Sequence, residues 1–423
     1  MMRRFILFLY NLLFVPILLI LLPGYLIRIR KRGGYSNKAL QRLGIFDHET
    51  AARIGSGRIW LHAVSVGEVG IALKLAHELH RRNEKSRFLI SSTTSTGLAI
   101  LEKSASEWLE PVANPIDFPI ITSRLIRKLQ PSALLMIEAD LWPNRIAACK
   151  ALGIPVALLN ARLSTRSERR FRTVRPFTAP LFNQLDLITL TDPEDQRRWI
   201  SLGVQQGLLS LTGNIKHDSK HTAISLRNGD PILLAASTHA GEEEKIASAW
   251  ITLKREFPNL RLIITPRHVE RRMEIRESLR DLGISCGLRS EGANLCEEPL
   301  LLDTTGELDS WYSKATVVFV GKSLSCSVNK GGQNMIEPLQ TGSPVMIGPH
   351  TGNFEPLATH LCDGGAAIRV NSSEEIVSVA RLLLADESKR SSMVTAAKTI
   401  LAPHQGATER NCELVQSRLK ISV

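Results

Sequence analysis

The sequence predicts an α/β protein made of two Rossmann-like halves, because strand-like and helix-like segments alternate twice along the chain. Short apolar runs first alternate with amphipathic stretches from Arg58 onward. The alternation restarts at Pro231, after residues 218–230, which carry no strong pattern. Such alternation indicates two parallel sheets, each covered by helices on both faces.

The element boundaries divide the chain into three parts. In the first half we predict strands at 58–63, 87–91, 133–137, 156–160 and 187–190, with helices at 69–82, 96–107, 119–129, 143–152 and 193–202. In the second half we predict strands at 231–236, 262–265, 299–302, 316–320, 344–347 and 366–370, with helices at 241–257, 269–282, 306–314, 334–341, 354–362, 373–386 and along 386–419. We therefore expect residues 1–33 to be an N-terminal anchor, 34–225 a first domain, and 226–423 a second domain with C-terminal helices.

The N-terminus predicts attachment to a membrane. Phe5 to Ile27 contains no charged residue, and as a helix it would extend roughly 35 Å, enough to cross a bilayer. A cleaved signal peptide fits poorly, because no small-residue cleavage site follows and basic residues begin at Arg28. A helix lying in the membrane interface is the alternative. The heavier basic flank follows the segment, which predicts catalytic domains on the cytoplasmic side of a bacterial inner membrane.

Composition narrows the partners of the protein. The chain of 423 residues has a net charge of +12 and a pI of about 9.6, which suit an anionic membrane or an anionic substrate. Nucleic acid is the weaker choice, since aromatic residues make up 5% and no zinc-finger spacing occurs. Six cysteines without a C-x-x-C pair indicate free thiols. The arginine-rich stretch 162–175 is either a solvated basic face or a contact for lipid phosphates.

Glu68 is the first candidate for chemistry. The sequence Ser65-Val-Gly-Glu68 joins a predicted strand to a predicted helix. Ligands of open α/β sheets bind at the carboxyl ends of the strands, so this carboxylate could take a proton from a bound substrate. A carboxylate in the first turn of a helix also complements the helix dipole. Position alone does not separate these two interpretations.

A second pair of acids, Glu138 and Asp140, follows the predicted strand 133–137. Asp140 precedes Pro143, a favoured first residue of a helix, so helix capping explains it. Glu138 has no such role, and we expect it at the same sheet edge as Glu68 because both follow parallel strands. Two carboxylates at one edge can divide proton transfer and positioning between them.

Basic and small residues follow other predicted strands. Lys216 lies near the domain junction, where a lysine is usually only solvated, and Arg267 ends the strand 262–265 with a planar fork suited to phosphate. Thr304–Glu307 and Gly331–Glu337 each place small residues before a helix, where backbone N–H groups suit a phosphate. Neither a P-loop nor a G-x-G-x-x-G after a strand occurs, so ATP, NAD and FAD are not expected.

Taken together and in this order, these motifs closely resemble the 3-deoxy-D-manno-octulosonic acid (Kdo) transferases of lipopolysaccharide synthesis, membrane-anchored enzymes of the GT-B fold. The resemblance covers nearly the whole chain. It rests on Ser65-Val-Gly-Glu68, Glu138-Ala-Asp-Leu-Trp-Pro-Asn144, Asn160-Ala-Arg-Leu-Ser164, Gly213-Asn-Ile-Lys216, Pro266-Arg-His268, Asp303-Thr-Thr-Gly-Glu-Leu308, Gly331-Gly-Gln-Asn-Met-Ile-Glu337 and Gly348-Pro-His350.

The resemblance implies an inverting transfer of Kdo from CMP-Kdo to lipid IVA, with no metal or other cofactor. Residues 34–225 would then bind the acceptor and 226–423 the donor. Glu68 would be the general base, and Glu138 and Lys216 would stabilise the transition state. The residues implied to hold CMP are Pro266, Arg267, Thr305, Gly306, Glu307, Asn334, Met335, Ile336 and Glu337.

The chain departs from the family pattern in the nucleotide region. Gln333 stands where the family usually has His, Met335 where it has Pro, and Lys322 where it has Gly. Asp140 replaces a common Glu, and the loop 325–330 is slightly longer. The number of Kdo units, the acyl-chain preference and the oligomeric state have no signature in the sequence. Two other functions stay open: a GT-B enzyme with another nucleotide sugar, and a non-catalytic membrane scaffold that binds polyanions.

Overall fold

The computed structural model describes residues 2–31, 36–138, 141–218, 229–324 and 331–421. The chain forms two compact units, one of Met1–Asp218 with Pro403–Val423 and the other of Ser219–Ala402. The sequence assigned everything after residue 226 to the second domain, whereas the structure returns the last segment to the first unit. There the C-terminal helix packs against the helix that carries Glu68.

The first unit contains a seven-stranded sheet in the order β3-β2-β1-β4-β5-β6-β7, and its strand pairs are parallel. The strands are β1 Ile59–Ala63, β2 Phe88–Ser92, β3 Leu109–Ala113, β4 Ala133–Ile137, β5 Val156–Ala161, β6 Leu187–Leu190 and β7 Leu209–Leu211. The helices are α1 Met2–Lys31, α2 His48–Ile54, α3 Val66–Arg82, α4 Ser95–Lys103, α5 Pro119–Leu129, α6 Pro143–Ala151, α7 Thr165–Thr173, α8 Arg175–Phe182, α9 Pro193–Ser201 and α17 Ala407–Leu419.

Strand β3 was absent from the sequence-based prediction. It contains Glu110 and Pro111, both unusual in a buried strand. Two features make room for them: β3 is the edge strand, where a proline breaks no central ladder, and Arg53 pairs with the Glu110 carboxylate at 3.1 Å. The sequence pattern therefore missed β3, because the position of this segment at the sheet edge, and not the strand preference of its residues, allows it to form a strand.

The second unit repeats the architecture with a parallel sheet in the order β10-β11-β9-β8-β12-β13-β14. Its strands are β8 Ile232–Thr238, β9 Arg261–Pro266, β10 Gly287–Leu288, β11 Leu300–Leu301, β12 Val317–Val320, β13 Val345–Ile347 and β14 Ala367–Arg369. Its helices are α10 Glu243–Lys254, α11 Arg272–Asp281, α12 Leu308–Tyr312, α13 Ile336–Gln340, α14 Leu357–Asp363, α15 Ser373–Ala385 and α16 Glu387–Leu401. Two parallel α/β sheets confirm the predicted fold class.

The predicted anchor forms helix α1, a 30-residue helix that contains Pro16 and Pro23. One side of α1 packs against the rest of the first unit, where Asn11 and Asn144 exchange side-chain hydrogen bonds of 2.7 and 3.1 Å. Among the residues that the structure describes, no helix combines the length and apolarity needed to cross a bilayer. The prediction of a membrane-spanning anchor is therefore not supported.

Candidate active site

The three predicted catalytic residues lie in the first unit, at the carboxyl edge of its sheet. Strands β1 and β4 are neighbours and parallel, so the segments that follow them, with Glu68 and Glu138, leave the sheet on the same side. Lys216 lies in the short 3₁₀ turn Ile215–His217 that follows β7. Sequence spacing alone could not bring Lys216 to this place, because β7 stands at the far edge of the sheet.

Glu68 is the third residue of helix α3, and the residue is 7% exposed. One carboxylate oxygen accepts the backbone N–H of Val64 at 2.7 Å, and the other accepts the Ser65 hydroxyl at 2.8 Å. The Ser65 oxygen, at the N-cap, in turn accepts the N–H of Glu68 at 3.3 Å; this is a variant of the capping box in which the carboxylate accepts the N–H of Val64 rather than that of Ser65. Glu68 thus caps its helix, and this does not prevent catalysis, because a carboxylate has about four acceptor positions.

Lys216 and Glu138 form a direct ion pair between Nζ and Oε1, and both side chains are partly exposed. The same ammonium lies 3.5 Å from the position that a Cβ on Gly67 would occupy, so it stands beside the turn that leads to Glu68. A Cβ at residue 67 would make only ordinary van der Waals contact with Lys216, whereas a larger side chain would have to share the space that Lys216 occupies. The structure therefore brings the two carboxylates and the lysine into one cluster.

The backbone of Glu138 has φ 64°, a left-handed conformation that is rare for residues other than glycine. Such strain persists only when the surroundings enforce it, and it concentrates at functional sites. Here the N–H of Glu138 donates to the carbonyl of Leu159 at 3.0 Å, which continues the β4–β5 pairing one residue past β4.

Two buried asparagines position Lys216. Asn160 accepts the N–H of Ile215 at 2.8 Å and its amide contacts Asn214 Oδ1 at 3.3 Å. Asn214 Oδ1 also accepts the N–H of Lys216 at 3.0 Å. Asn160 itself has φ 54°, which asparagine tolerates better than most residues. Sequence reasoning included both residues in motifs but gave them no role, since the link between them spans 54 positions of the chain.

Two histidines lie near this cluster, His62 buried and His217 half-buried. Burial, with the nearby His404, lowers the pKa of His217 to about 3. Burial also places the pKa of His62 well below its ordinary value, and its Nδ1 lies 2.9 Å from the Ser91 hydroxyl. This environment suits a structural role for both histidines. Asp140, the predicted helix cap, lies outside the described residues.

In the second unit, the residues predicted to hold CMP follow three strands of one sheet. Pro266 and Arg267 lie at the end of β9, Thr305–Glu307 after β11, and Asn334–Glu337 after β12. Strands β11, β9, β8 and β12 are consecutive neighbours in a parallel sheet, so the three segments reach the same edge. Arg267 is exposed there, and its N–H is anchored to the carbonyl of Thr238 at 3.0 Å.

Several of the predicted donor residues already have protein partners, among them Asn334, whose amide donates to Glu337 at 2.8 Å. Glu307 accepts the Thr304 hydroxyl at 2.6 Å and pairs with Arg289 at 3.1 Å, and these two contacts lower the pKa of its carboxyl. Met335 is fully buried in the core of the second unit, so only its backbone could face a ligand. No sequence motif pointed to Arg289, which holds Glu307 in place from a separate turn.

Metal ligation has no candidate cluster in the described ranges, where no group of three or more His, Cys, Asp or Glu side chains is placed to hold an ion. The absence of a metal requirement stays a prediction. Of the six cysteines, the five in the described ranges are free thiols, and Cys326 lies outside those ranges.

Comparison with known proteins gives matches for both the sequence and the fold. A family model described as 3-deoxy-D-manno-octulosonic-acid transferase (kdotransferase) matches residues 36–219. The 3-deoxy-D-manno-octulosonic acid transferase of Haemophilus influenzae is 32% identical over 86% of this chain and 88% of its own length. A crystal structure of the C-terminal CMP-Kdo binding domain of WaaA from Acinetobacter baumannii is 30% identical, covering 41% of this chain and 90% of that one, with a TM-score of 0.39. A UDP-N-acetylglucosamine 2-epimerase structure, 15% identical, covers 87% of this chain and 98% of its own with a TM-score of 0.56, which shows the shared GT-B fold alone.

Proposed function

Because this chain belongs to the 3-deoxy-D-manno-octulosonic acid transferase family, we propose that it moves Kdo from CMP-Kdo to lipid IVA with inversion at the anomeric carbon. The observation that carries the catalytic part is the cluster of Glu68, Glu138 and Lys216 at one sheet edge. Three chain segments, far apart in sequence, converge there. A purely structural function would not need a strained glutamate paired with a partly exposed lysine.

In the proposed reaction, Glu68 accepts the proton of the acceptor hydroxyl as that oxygen forms a bond to the anomeric carbon. The bond from the anomeric carbon to the phosphate oxygen breaks, and CMP leaves with the electron pair. Lys216, held by Glu138, supplies positive charge against the negative charge that develops in the transition state. General-base assistance of this kind contributes roughly 10²- to 10⁴-fold in rate.

The donor side of the proposal rests on the second unit. Arg267 offers a guanidinium at the sheet edge, and Thr305–Glu307 and Asn334–Glu337 flank the same edge. An arginine fork and exposed backbone N–H groups are the chemistry that binds a nucleotide phosphate. No metal enters the proposed reaction.

The experiment is an incubation of the full chain with lipid IVA and CMP-Kdo, followed by mass spectrometry of the lipid. The expected product is lipid IVA with one or more Kdo residues, together with free CMP. Parallel reactions with UDP-sugars test the alternative of a different nucleotide sugar. Transfer from a UDP-sugar and none from CMP-Kdo would refute the proposed donor.

We further propose that helix α1 holds the enzyme at the cytoplasmic face of the inner membrane without crossing it. The side of α1 away from the first unit exposes large apolar side chains, namely Phe5, Phe8, Leu12, Leu13, Ile17, Leu19 and Ile20. Helix α1 also packs against α8, which in turn contacts α7, and both α7 and α8 carry exposed arginines. Apolar side chains beside arginines suit an interface with anionic lipids.

Flotation with vesicles tests this attachment. The full chain should float with vesicles that contain anionic lipid, and the double substitution Phe8→Glu and Leu12→Glu should leave it in the soluble fraction. A control with Leu152→Glu, an exposed apolar residue that directly follows α6, should float like the unaltered chain. Flotation of the α1 variant to the same extent would refute the proposed role of this helix.

A further inference from the structure

Two loops without an assigned role lie at the carboxyl edge of the second sheet, between the segments predicted to hold CMP. Strands β8 and β12 are adjacent at the centre of the sheet, with Ala236 opposite Val320. The loop after β8 carries His239, and the loop after β12 carries Lys322. The segments already discussed, which contain Arg267, Thr305 and Asn334, lie around these two loops.

Lys322 adopts a left-handed backbone with φ 59°. Glycine takes this conformation without strain, whereas a residue with a Cβ does not. A strained residue persists only where its surroundings hold it, and such residues concentrate at ligand sites. The loop is also pressed against its neighbour, because a Cβ on Gly321 would lie 2.6 Å from the carbonyl oxygen of Ser237.

The buried carboxylate of Glu242 joins the two loops. One of its oxygens accepts the N–H of His239 at 2.9 Å and the N–H of Lys322 at 2.7 Å. The other accepts the N–H groups of Ser323 at 3.0 Å and Leu324 at 2.9 Å. These four bonds use about all the acceptor positions of a carboxylate. Glu242 therefore fixes where the side chains of His239 and Lys322 begin, and its acceptor positions are taken by backbone N–H groups rather than by the Lys322 ammonium.

The groups around Lys322 are suited to an anion. The rings of His239 and His268 lie 5.7 Å apart in an edge-to-face arrangement. Burial lowers the pKa of His239, and the charges of Lys322 and His268 lower it further, against the raising effects of the Ser237 carbonyl and Glu242. In the described part of the chain, Lys322 forms no ion pair with a carboxylate. Its ammonium is thus available to a ligand at the sheet edge.

We propose that Lys322, positioned by Glu242 and flanked by His239 and His268, binds an anionic group of the nucleotide-sugar donor. The inference rests on the proposed function, which supplies a donor with two such groups, the phosphate of CMP and the carboxylate of the sugar acid. An ammonium and neighbouring imidazoles can bind either group by charge-assisted hydrogen bonds. Lys322 would then contribute to the choice of an acidic donor.

Calorimetric titration of the full chain with CMP-Kdo, CMP and cytidine tests the proposal. The variant Lys322→Gly suits the left-handed backbone, so it removes the charge without a folding penalty. We expect it to weaken binding of the anionic ligand by roughly 10- to 100-fold, the range of one charge-assisted hydrogen bond. Lys322→Arg, which keeps the charge, should restore most of the affinity. The control Lys314→Gln alters an exposed lysine ahead of β12, at the opposite end of the strand, and should change nothing.

Comparison of CMP-Kdo, CMP and cytidine shows which anionic group of the donor Lys322 binds. A loss confined to CMP-Kdo identifies the sugar carboxylate, and an equal loss for CMP-Kdo and CMP identifies the phosphate. Unchanged affinity for both, or a loss that extends equally to cytidine, would overturn the role of Lys322. If the unaltered chain binds UDP-sugars but not CMP-Kdo, the proposed donor fails separately, and the Lys322 variants are then compared on UDP.

Discussion

Replacement of Glu68 by glutamine separates its two roles, the helix cap and the proposed base. Glutamine keeps an oxygen that can accept the N–H of Val64, now 2.7 Å from the carboxylate, and it can still contact the Ser65 hydroxyl. It loses the negative charge and with it the capacity to take a proton. The variant therefore preserves the shape of the helix start while removing the proposed chemistry.

The structure sets the size of each effect. Two charge-assisted hydrogen bonds become neutral, which costs about 1 kcal/mol each, and the helix dipole adds up to about 1 kcal/mol. A loss of about 2–3 kcal/mol leaves a domain of ordinary stability folded. Loss of a general base lowers the rate by roughly 10²- to 10⁴-fold, or about 3–5 kcal/mol of barrier. Transfer should thus fall by roughly 10²- to 10⁴-fold while the protein stays folded.

Asp195→Asn is a matched control for this experiment. Asp195 is also a buried carboxylate at the third position of a helix, and it accepts one backbone N–H at 3.0 Å and one hydroxyl at 2.7 Å. Urea unfolding should show a comparable or smaller loss of stability for this control, with transfer unchanged. Transfer is measured in a single turnover of CMP-Kdo, and donor binding by calorimetry. Transfer by Glu68→Gln within about threefold of the unaltered enzyme would show that Glu68 is only a cap.

Three further predictions address the same unit. Lys216→Met should reduce transfer by roughly 10²-fold, as expected for the loss of one group that stabilises transition-state charge, and should change stability by no more than about 1 kcal/mol because its ion pair is partly exposed. The control is Lys150→Met, which removes the similarly exposed ion pair with Asp186. Equal transfer by both variants would contradict the role of Lys216. Gly213→Ala should lower the free energy of unfolding by more than about 2 kcal/mol, since Gly213 has φ 82° and a Cβ would clash with the carbonyl of Pro403. The control is Gly207→Ala, whose Cβ would meet open space, and equal urea midpoints for the two variants would refute the argument. The pKa of His217 falls to about 3 in the folded state, so the unfolded chain binds more protons than the folded one between about pH 3 and 6.5. The free energy of unfolding should therefore fall with acidification through that window, by up to about 1.4 kcal/mol per pH unit. His217→Gln should flatten this slope in urea titrations, and an unaltered slope would contradict the argument.

The sequence by itself determined the alternation of strands and helices, and therefore the parallel sheets and the edge where their loops gather. Because all parallel strands end at one edge, the motifs after β1, β4, β9 and β12 could be assigned to ligand-facing loops before any contact was known. For the same reason, the prediction that Glu68 and Glu138 lie at one sheet edge was correct. Helix α1 shows the limit of this reasoning, since an uncharged run predicts burial in lipid but not whether the helix crosses it.

Only the tertiary structure decided which side chains meet. The ion pair of Lys216 and Glu138, the support of Lys216 by Asn160 and Asn214, and the clamp of Glu242 on Lys322 all join segments that are far apart in the chain. The return of Pro403–Val423 to the first unit was equally hidden, because an amphipathic helix carries no label for the surface it covers. Local periodicity specifies which face of an element is apolar, whereas long-range packing chooses the partner for that face.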